Sequence, residues 1–287
     1  MNCRLCPREC GINRQINTGF CGAGDDMRIA KMMLHKWEEP CISGTKGSGA
    51  IFFSGCTLRC CFCQNEKIST CQTGDIYTER QLADKMLWLQ DDGAHNINLV
   101  TAGHFTHRVI KALDMAKPQL KIPVVYNCSG YEKVETLRML KGYVDIYLPD
   151  IKYYSPQLSK RYSQAENYFE YASQAVKEMY NQVGEIQLDE AGIIQKGLII
   201  RHLVLPTHTD DTIAILKWIR TNLPHDKILI SLMSQYLPMH KAHRFEEINR
   251  RLTPDEYKKA ENAMRVLGFD GYTQAPESSD KCYIPDF

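Results

Sequence analysis

The sequence predicts an α/β fold, a partial (β/α)6 TIM-like barrel carrying an N-terminal cysteine-rich extension. Three observations predict it. Strand and helix patterns alternate about six times after residue 50, and the strands read as continuous apolar runs, the mark of a parallel sheet covered by helices. Each strand also ends in polar or special residues: SGC, TAGH, NCSG, PDIK, PTHTDD and MSQ. In barrels of this kind the chemistry sits in the loops after the C-terminal ends of the strands.

The elements follow in order. AIFFS (Ala50 to Ser54) is an apolar strand leading into a dense group of cysteines, and TERQLADKMLWLQDDG (Thr78 to Gly93) opens on a threonine N-cap and keeps helical spacing. NINLV (Asn96 to Val100) is the next strand, and a helix is expected over 106–116. Strand IPVVY (Ile122 to Tyr126), a helix over 132–140 and strand VDIYL (Val144 to Leu148) continue the series. A helix over 165–182 precedes strand GLIIRHLVL (Gly197 to Leu205), helix Asp211 to Thr221, strand KILISL (Lys227 to Leu232) and a last helix over 254–267. The expected division is a cysteine-rich extension over 1–45, the barrel over 46–240, and a C-terminal helix and tail over 241–287 that pack on it. The tail GYTQAPESSDKCYIPDF turns from polar to aromatic, a composition suited to docking at the barrel bottom or over the substrate mouth.

With 287 residues, 44% of them hydrophobic, the chain can build a substantial core. Lysine plus arginine (35) nearly cancel aspartate plus glutamate (34), so no broad basic field points to nucleic acid. The start MNCRLCPREC has no apolar h-region, and no run of about 18 apolar residues follows, which argues against export and membrane spanning and for a cytoplasmic location. In that compartment, clustered thiols bind metal or do redox chemistry more often than they form disulfides.

The twelve cysteines are front-loaded, at 3, 6, 10, 21, 41, 56, 60, 61, 63 and 71, with Cys128 and Cys282 far behind. Cys56, Cys60 and Cys63 have the spacing C-x3-C-x2-C, with Phe62 just before the last. Three thiolates on a short loop suit three irons of a cubane [4Fe-4S] cluster and leave the fourth iron open to a ligand. A zinc knuckle is the competing reading, and it prefers four protein ligands.

The motif CTLRCCFC, after a strand and the lead-in GTKGSGAIFFSG, resembles the cluster-binding loop of radical S-adenosylmethionine (radical SAM) enzymes. The lead-in and the following QN look like the pyruvate formate-lyase activating enzyme group. CRLCPRECGINR, NLVTAGHF, LPDIKYY, RHLVLP and ISLMSQY look like an uncharacterised activase-like branch of it, so the resemblance covers almost the whole chain. It implies that SAM chelates the open iron, that one electron cleaves a carbon–sulfur bond, and that a 5′-deoxyadenosyl radical takes hydrogen from a substrate. The cofactors carry the hard chemistry, and no catalytic side chain is assigned.

The resemblance also implies site residues. Phe62 belongs to the cluster motif. The second strand ends Thr101-Ala102-Gly103-His104, where the family usually has a glycine-rich segment with an acid for the SAM amino group; here no acid is present and backbone carbonyls take that place. Asn127 and Ser129, with Asp150 and Lys152, match positions around the SAM carboxylate and an accompanying monovalent cation, for which oxygen donors are suited. An ion pair between Asp150 and Lys152 is the simpler alternative. His202 matches a ribose contact and faces the barrel interior if Arg201 and Leu203 point outward. Cys61 is a bystander and Cys128 a packed residue, while Cys41 and Cys71 stay unassigned.

Cys3, Cys6, Cys10 and Cys21, spaced C-x2-C-x3-C-x10-C, offer four soft ligands in a region with little apolar content. The readings divide between a second metal site, zinc or a second Fe-S cluster, and thiols that pack at the barrel base. The expected activity is that of a glycyl-radical-enzyme activase, with a glycyl radical enzyme or a peptide as partner and flavodoxin or ferredoxin as reductant. Modification of a small molecule or peptide side chain is the alternative, and a non-catalytic Fe-S or zinc protein the third.

Overall fold

The computed structural model describes residues 2–70, 73–274, 285 and 287. Cys71 and Cys282 lie outside them, as does most of the tail after Gln274. In chain order the elements begin with β1 (Arg28–His35), α1 (Pro40–Ser43), β2 (Ser48–Phe53), α2 (Glu66–Thr70), β3 (Asp75–Ile76) and α3 (Glu79–Asp91). Next come β4 (Ile97–Val100), α4 (Thr106–Ala116), β5 (Val124–Cys128), α5 (Val134–Met139), β6 (Ile146–Pro149), α6 (Pro156–Ser163) and α7 (Tyr168–Val183). The chain closes with β7 (Gln187–Leu188), β8 (Ile194–Leu203), α8 (Thr209–Asn222), β9 (Leu229–Met233), α9 (Pro254–Val266) and β10 (Gly271–Thr273).

The sheet runs β10-β9-β8-β6-β5-β4-β2-β1-β3, with β7 on the side of β8. From β2 through β10 the path is parallel, whereas β1 lies antiparallel on β2 and β3 antiparallel on β1. Among the described residues no pairing joins β10 to β3, so the barrel is open. The expected alternation of six strand and helix units is present, and α3 starts on the expected cap: Thr78 and Gln81 form a reciprocal capping box.

Strand residues alternate cleanly between two cores. Ile51, Leu99, Tyr126, Tyr147, Ile200 and Leu232 face outward onto helix residues such as Met86, Leu113, Met179 and Ile219. Val125, Ile146, Leu148 and Ile199 face inward, where Cys41 and Ile42 of α1 join them. Because β1 runs against β2, with His35 opposite Ser48, it delivers residues 36–44 to the N-terminal end of the barrel strands. Those residues plug the base.

Several boundaries differ from expectation. The helix expected over 165–182 is α7, and an unexpected helix, α6, precedes it and ends where Gln164 adopts a left-handed φ of 51°. Ser155 caps α6 through a bond from Leu158 N at 3.4 Å. The third barrel strand runs Val124–Cys128, two residues later than expected, since Pro123 has no N–H to donate. β1 falls within the segment expected as an extension, yet it is part of the sheet.

Gly130 marks the tightest packing beside β6. Its φ is +74°, and a Cβ there would overlap the carbonyl oxygen of Asp150. Gly130→Ala should therefore cost more than about 2 kcal/mol, through strain and a displaced β6 terminus. Denaturant unfolding of the variant checks this, and an unchanged midpoint would refute the packing argument.

Candidate functional site

After β2 the chain turns at Gly55, whose φ is +93° and whose missing Cβ leaves room for the carbonyl oxygen of Cys21. Gly55 N donates to Ile68 O at 2.7 Å and Cys56 N to Cys21 O at 3.2 Å, so the cysteine loop is seated on the N-terminal segment. Cys63 N closes a turn onto Cys60 O at 3.2 Å. Cys56, Cys60 and Cys63 all line one cavity of about 640 Å3. Two of the sulfurs accept hydrogen bonds, Cys56 from Leu58 N and Cys63 from Ser69 Oγ, both at 3.4 Å. Burial pushes the Cys63 thiol up to about 12 and raises Cys60 as well, where Lys152 opposes it. Bound metal reverses that effect by stabilising the thiolate. Three soft donors on one loop, with hydrogen bonds to sulfur, fit a [4Fe-4S] cluster.

Cys61 turns elsewhere. It packs with Phe62, Tyr153, Tyr162 and Tyr236, its N–H bonded to Tyr162 O and its carbonyl accepting from Lys241 N. Phe62, which also lines the cavity, meets those three tyrosine rings edge-on at centroid distances of 5.6 to 6.4 Å.

Arg8 of the CPREC segment holds the loop from outside. Its guanidinium donates to Thr57 O at 2.9 Å, Ser163 O at 2.8 Å, Leu58 O at 3.4 Å and Gln164 O. The same group stacks over Phe20, 3.9 Å from the ring centroid. Four carbonyls that would otherwise point into a loop are thereby satisfied by one side chain.

Deeper in the cavity lies a charged network. Arg201 Nη1 donates to Glu38 Oε2 at 3.0 Å and Nη2 to Asn127 Oδ1 at 2.6 Å. Its Nε lies 3.3 Å from Asp150 Oδ1, an ion pair without the alignment of a hydrogen bond. Lys152 Nζ donates to Asp150 Oδ2 at 2.9 Å. Glu38 Oε1 accepts from Asn98 at 3.0 Å and Asn127 at 3.2 Å. Burial works to raise the Asp150 carboxyl, but Lys152 and Arg201 outweigh it and hold the group below its usual range.

Of the residues expected around SAM, Phe62, Thr101, Asn127, Ser129, Asp150 and Lys152 line this cavity. Thr101 does so with a φ of 60°, an unusual conformation for a β-branched residue and a cost on the order of 1–3 kcal/mol. Both Asp150 oxygens face cations of the protein, the ion pair with Lys152 among them.

Ala102, Gly103, His104 and His202 are not among the lining residues. Gly103 faces Glu132 and Tyr126. His104 Nε2 bonds Ser54 O at 2.8 Å, and burial lowers its pKa to about 4. His202 has both ring nitrogens occupied, Nδ1 with Ile151 O at 2.6 Å and Nε2 with Thr212 Oγ1 at 2.8 Å. The facing of β8 is thus opposite to expectation: Arg201 and Leu203 point into the cavity and His202 toward α8.

Cys6 and Cys21 are buried, Cys3 and Cys10 partly so, and burial raises the Cys6 thiol to about 12. Among the described residues no three His, Cys, Asp or Glu side chains converge as ligands of a single metal ion. The same holds for Cys56, Cys60 and Cys63, whose thiolates in a cubane would each take a different iron. Glu38, Glu39 and Arg201 were not expected. Their signal was a pair of carboxylates beside Pro40 and a charge inside the apolar run LIIRHLVL.

Among the described residues no helix is long and apolar enough to cross a membrane. The sequence profile of the Radical SAM superfamily matches residues 50–219. An uncharacterized protein of Methanocaldococcus jannaschii is 33% identical over 267 residues, 90% of this chain and 73% of that protein. Methylornithine synthase superposes with a TM-score of 0.50 at 15% identity, over 75% of this chain and 60% of its own. The structure of anSMEcpe with bound AdoMet gives 0.47 at 12% identity, over 76% and 61%. The chain thus spans about three fifths of these two structures.

Removing Arg201 leaves Glu38 buried without its cation and Asp150 with Lys152 alone. Arg201→Met should destabilise the protein by about 3–5 kcal/mol. Asp150, with its pKa held low, contributes stability that is present above the ordinary carboxylate range and lost as pH falls through the folded value. Weakening that depression moves the acid-unfolding midpoint upward, which circular dichroism across an acid titration would read. Equal midpoints in wild type and variant would sink the assignment.

Proposed function

The chain belongs to the radical SAM superfamily, which implies a [4Fe-4S] cluster and SAM, and we propose that Cys56, Cys60 and Cys63 hold that cluster for hydrogen abstraction from a substrate. One-electron cleavage of SAM to a 5′-deoxyadenosyl radical is the chemistry the bound groups supply. The observation that carries the reading is the meeting of the three cysteines with Phe62, Thr101, Asn127, Ser129, Asp150 and Lys152 in one cavity.

The protein's own part is positional. Lys152 keeps donors of Nζ beyond its bond to Asp150 and lies on the cavity, suited to a carboxylate. Phe62 and its tyrosine neighbours stiffen the loop and exclude water from it. Flavodoxin or ferredoxin is the proposed reductant, and the cytoplasm the proposed location for so many free thiols.

Two substrate readings follow. A small molecule or peptide side chain is favoured by the charged network inside the barrel, since a glycine backbone offers no charge to complement Glu38, Glu39, Asp150, Lys152 and Arg201. Activation of a glycyl radical enzyme is favoured by the cluster-loop sequence and its lead-in, which look like those of the activating enzymes. For Cys3, Cys6, Cys10 and Cys21, zinc or a second Fe-S cluster is the metal reading.

The test is anaerobic reconstitution with iron and sulfide, reduction by dithionite with SAM, and chromatography for 5′-deoxyadenosine. Wild type should form it and Cys60→Ala should not. A reconstituted cluster that never cleaves SAM would overturn the proposal. Iron retained by a Cys56→Ala, Cys60→Ala, Cys63→Ala triple variant would support the N-terminal cluster, and its complete loss would leave those thiols to zinc or to packing.

A further inference from the structure

The base plug presents two adjacent glutamates in opposite situations. Glu38 is saturated, with Arg201 on one oxygen and Asn98 and Asn127 on the other. Glu39, only 8% exposed, also lines the cavity, where Ser231 hydrogen-bonds its carboxyl. Its Oε2 is buried with no hydrogen-bond partner. Glu39 sits at the N-cap of α1 yet makes no side-chain cap bond, so helix capping does not account for it. An unsatisfied buried acceptor costs about 1–3 kcal/mol, a cost a ligand donor would offset.

The cationic side chains of the network are already committed. Arg201 serves Glu38, Asn127 and Asp150, and Lys152 serves Asp150. His35, on the same cavity, is kept neutral by burial and by Arg201. Phe52 and Tyr272 line the space as well, and aromatic rings attract cations that lie over their faces. An ammonium group would thus meet an open carboxyl beside aromatic residues.

We propose that Glu39 anchors a protonated primary amine of the substrate inside the barrel, fixing the molecule at the end of the cavity opposite its reacting carbon. The proposal rests on the radical SAM reading of the cavity, and it names the substrate class. Burial pushes the Glu39 carboxyl up, Arg201 opposing and Glu38 reinforcing. The titratable and charged groups around it are Glu38 from the same loop, Cys41 from α1, His35 from β1, Arg201 from β8 and Tyr272 from β10.

The probe is n-butylamine, with n-butanol as its neutral counterpart, titrated calorimetrically into the anaerobically reconstituted protein. The amine should bind at least about tenfold more tightly than the alcohol. Glu39→Gln should abolish the preference. Alcohol binding equal to amine binding, no amine binding, or a folded Glu39→Gln that keeps the preference would each overturn the inference. If Glu39→Gln does not fold, the amine-against-alcohol comparison in wild type decides alone. Deoxyadenosine formation is measured on the same preparation, so amine binding without SAM cleavage would sink the reaction and leave the amine site standing.

Discussion

Arg201 is the residue on which the interior of the barrel depends. A guanidinium buried in a parallel sheet is costly unless its charge is paired, and here three different segments pair it. Glu38 comes from the base plug, Asn127 from the end of β5 and Asp150 from the loop after β6. The β6–β8 junction is short in backbone pairing, with Ile146 opposite Gly197 and Tyr147 opposite Leu198 before the isolated bridge of Asp150 to Arg201. Side-chain ionic contacts span that opening where the ladder thins. The charges therefore fix the spacing of the strand ends that carry the cavity.

A second fixed point lies at the other end of the cavity. The cysteine loop has positive φ at Gly55 and Arg59 and few backbone bonds within itself, so it needs support from outside. Arg8 and the carbonyl of Cys21 provide it. This gives the N-terminal segment a structural role that stands apart from any metal. A region poor in apolar residues is held by one guanidinium bonded to four carbonyls and stacked on Phe20, and in turn it sets where Cys56 begins.

Much of this was legible in the sequence, for identifiable reasons. Cys56, Cys60 and Cys63 declare themselves because thiolate spacing is local, and the strand and helix alternation because period and capping are local too. The facing of β8 was not legible. GLIIRHLVL is apolar on both faces, so period 2 gives no preferred side, and only the tertiary partners decide that Arg201 goes inward. Strand β1 escaped for the converse reason: most of RIAKMMLH is half-buried, with no clean alternation to read. Gln164 ends α6 in a left-handed turn that usually calls for glycine, a signal absent from its residue type. Glu38 and Glu39 were visible as charges, but their value comes from a base plug that only the antiparallel β1 reveals.

Set together, these points describe a cavity with differentiated ends. At the strand C-termini the donors are soft sulfurs backed by aromatic rings, an environment for a metal cluster. Along the middle, Asp150 and Lys152 neutralise each other while leaving ammonium donors on the cavity. At the base, the hydrogen bonds of Arg201 go to Glu38 and Asn127, and Glu39 Oε2 is left without a hydrogen-bond partner. The pairing of Glu38 is what keeps Glu39 available, so the same network that stabilises the barrel also sets the polarity of the site at its base.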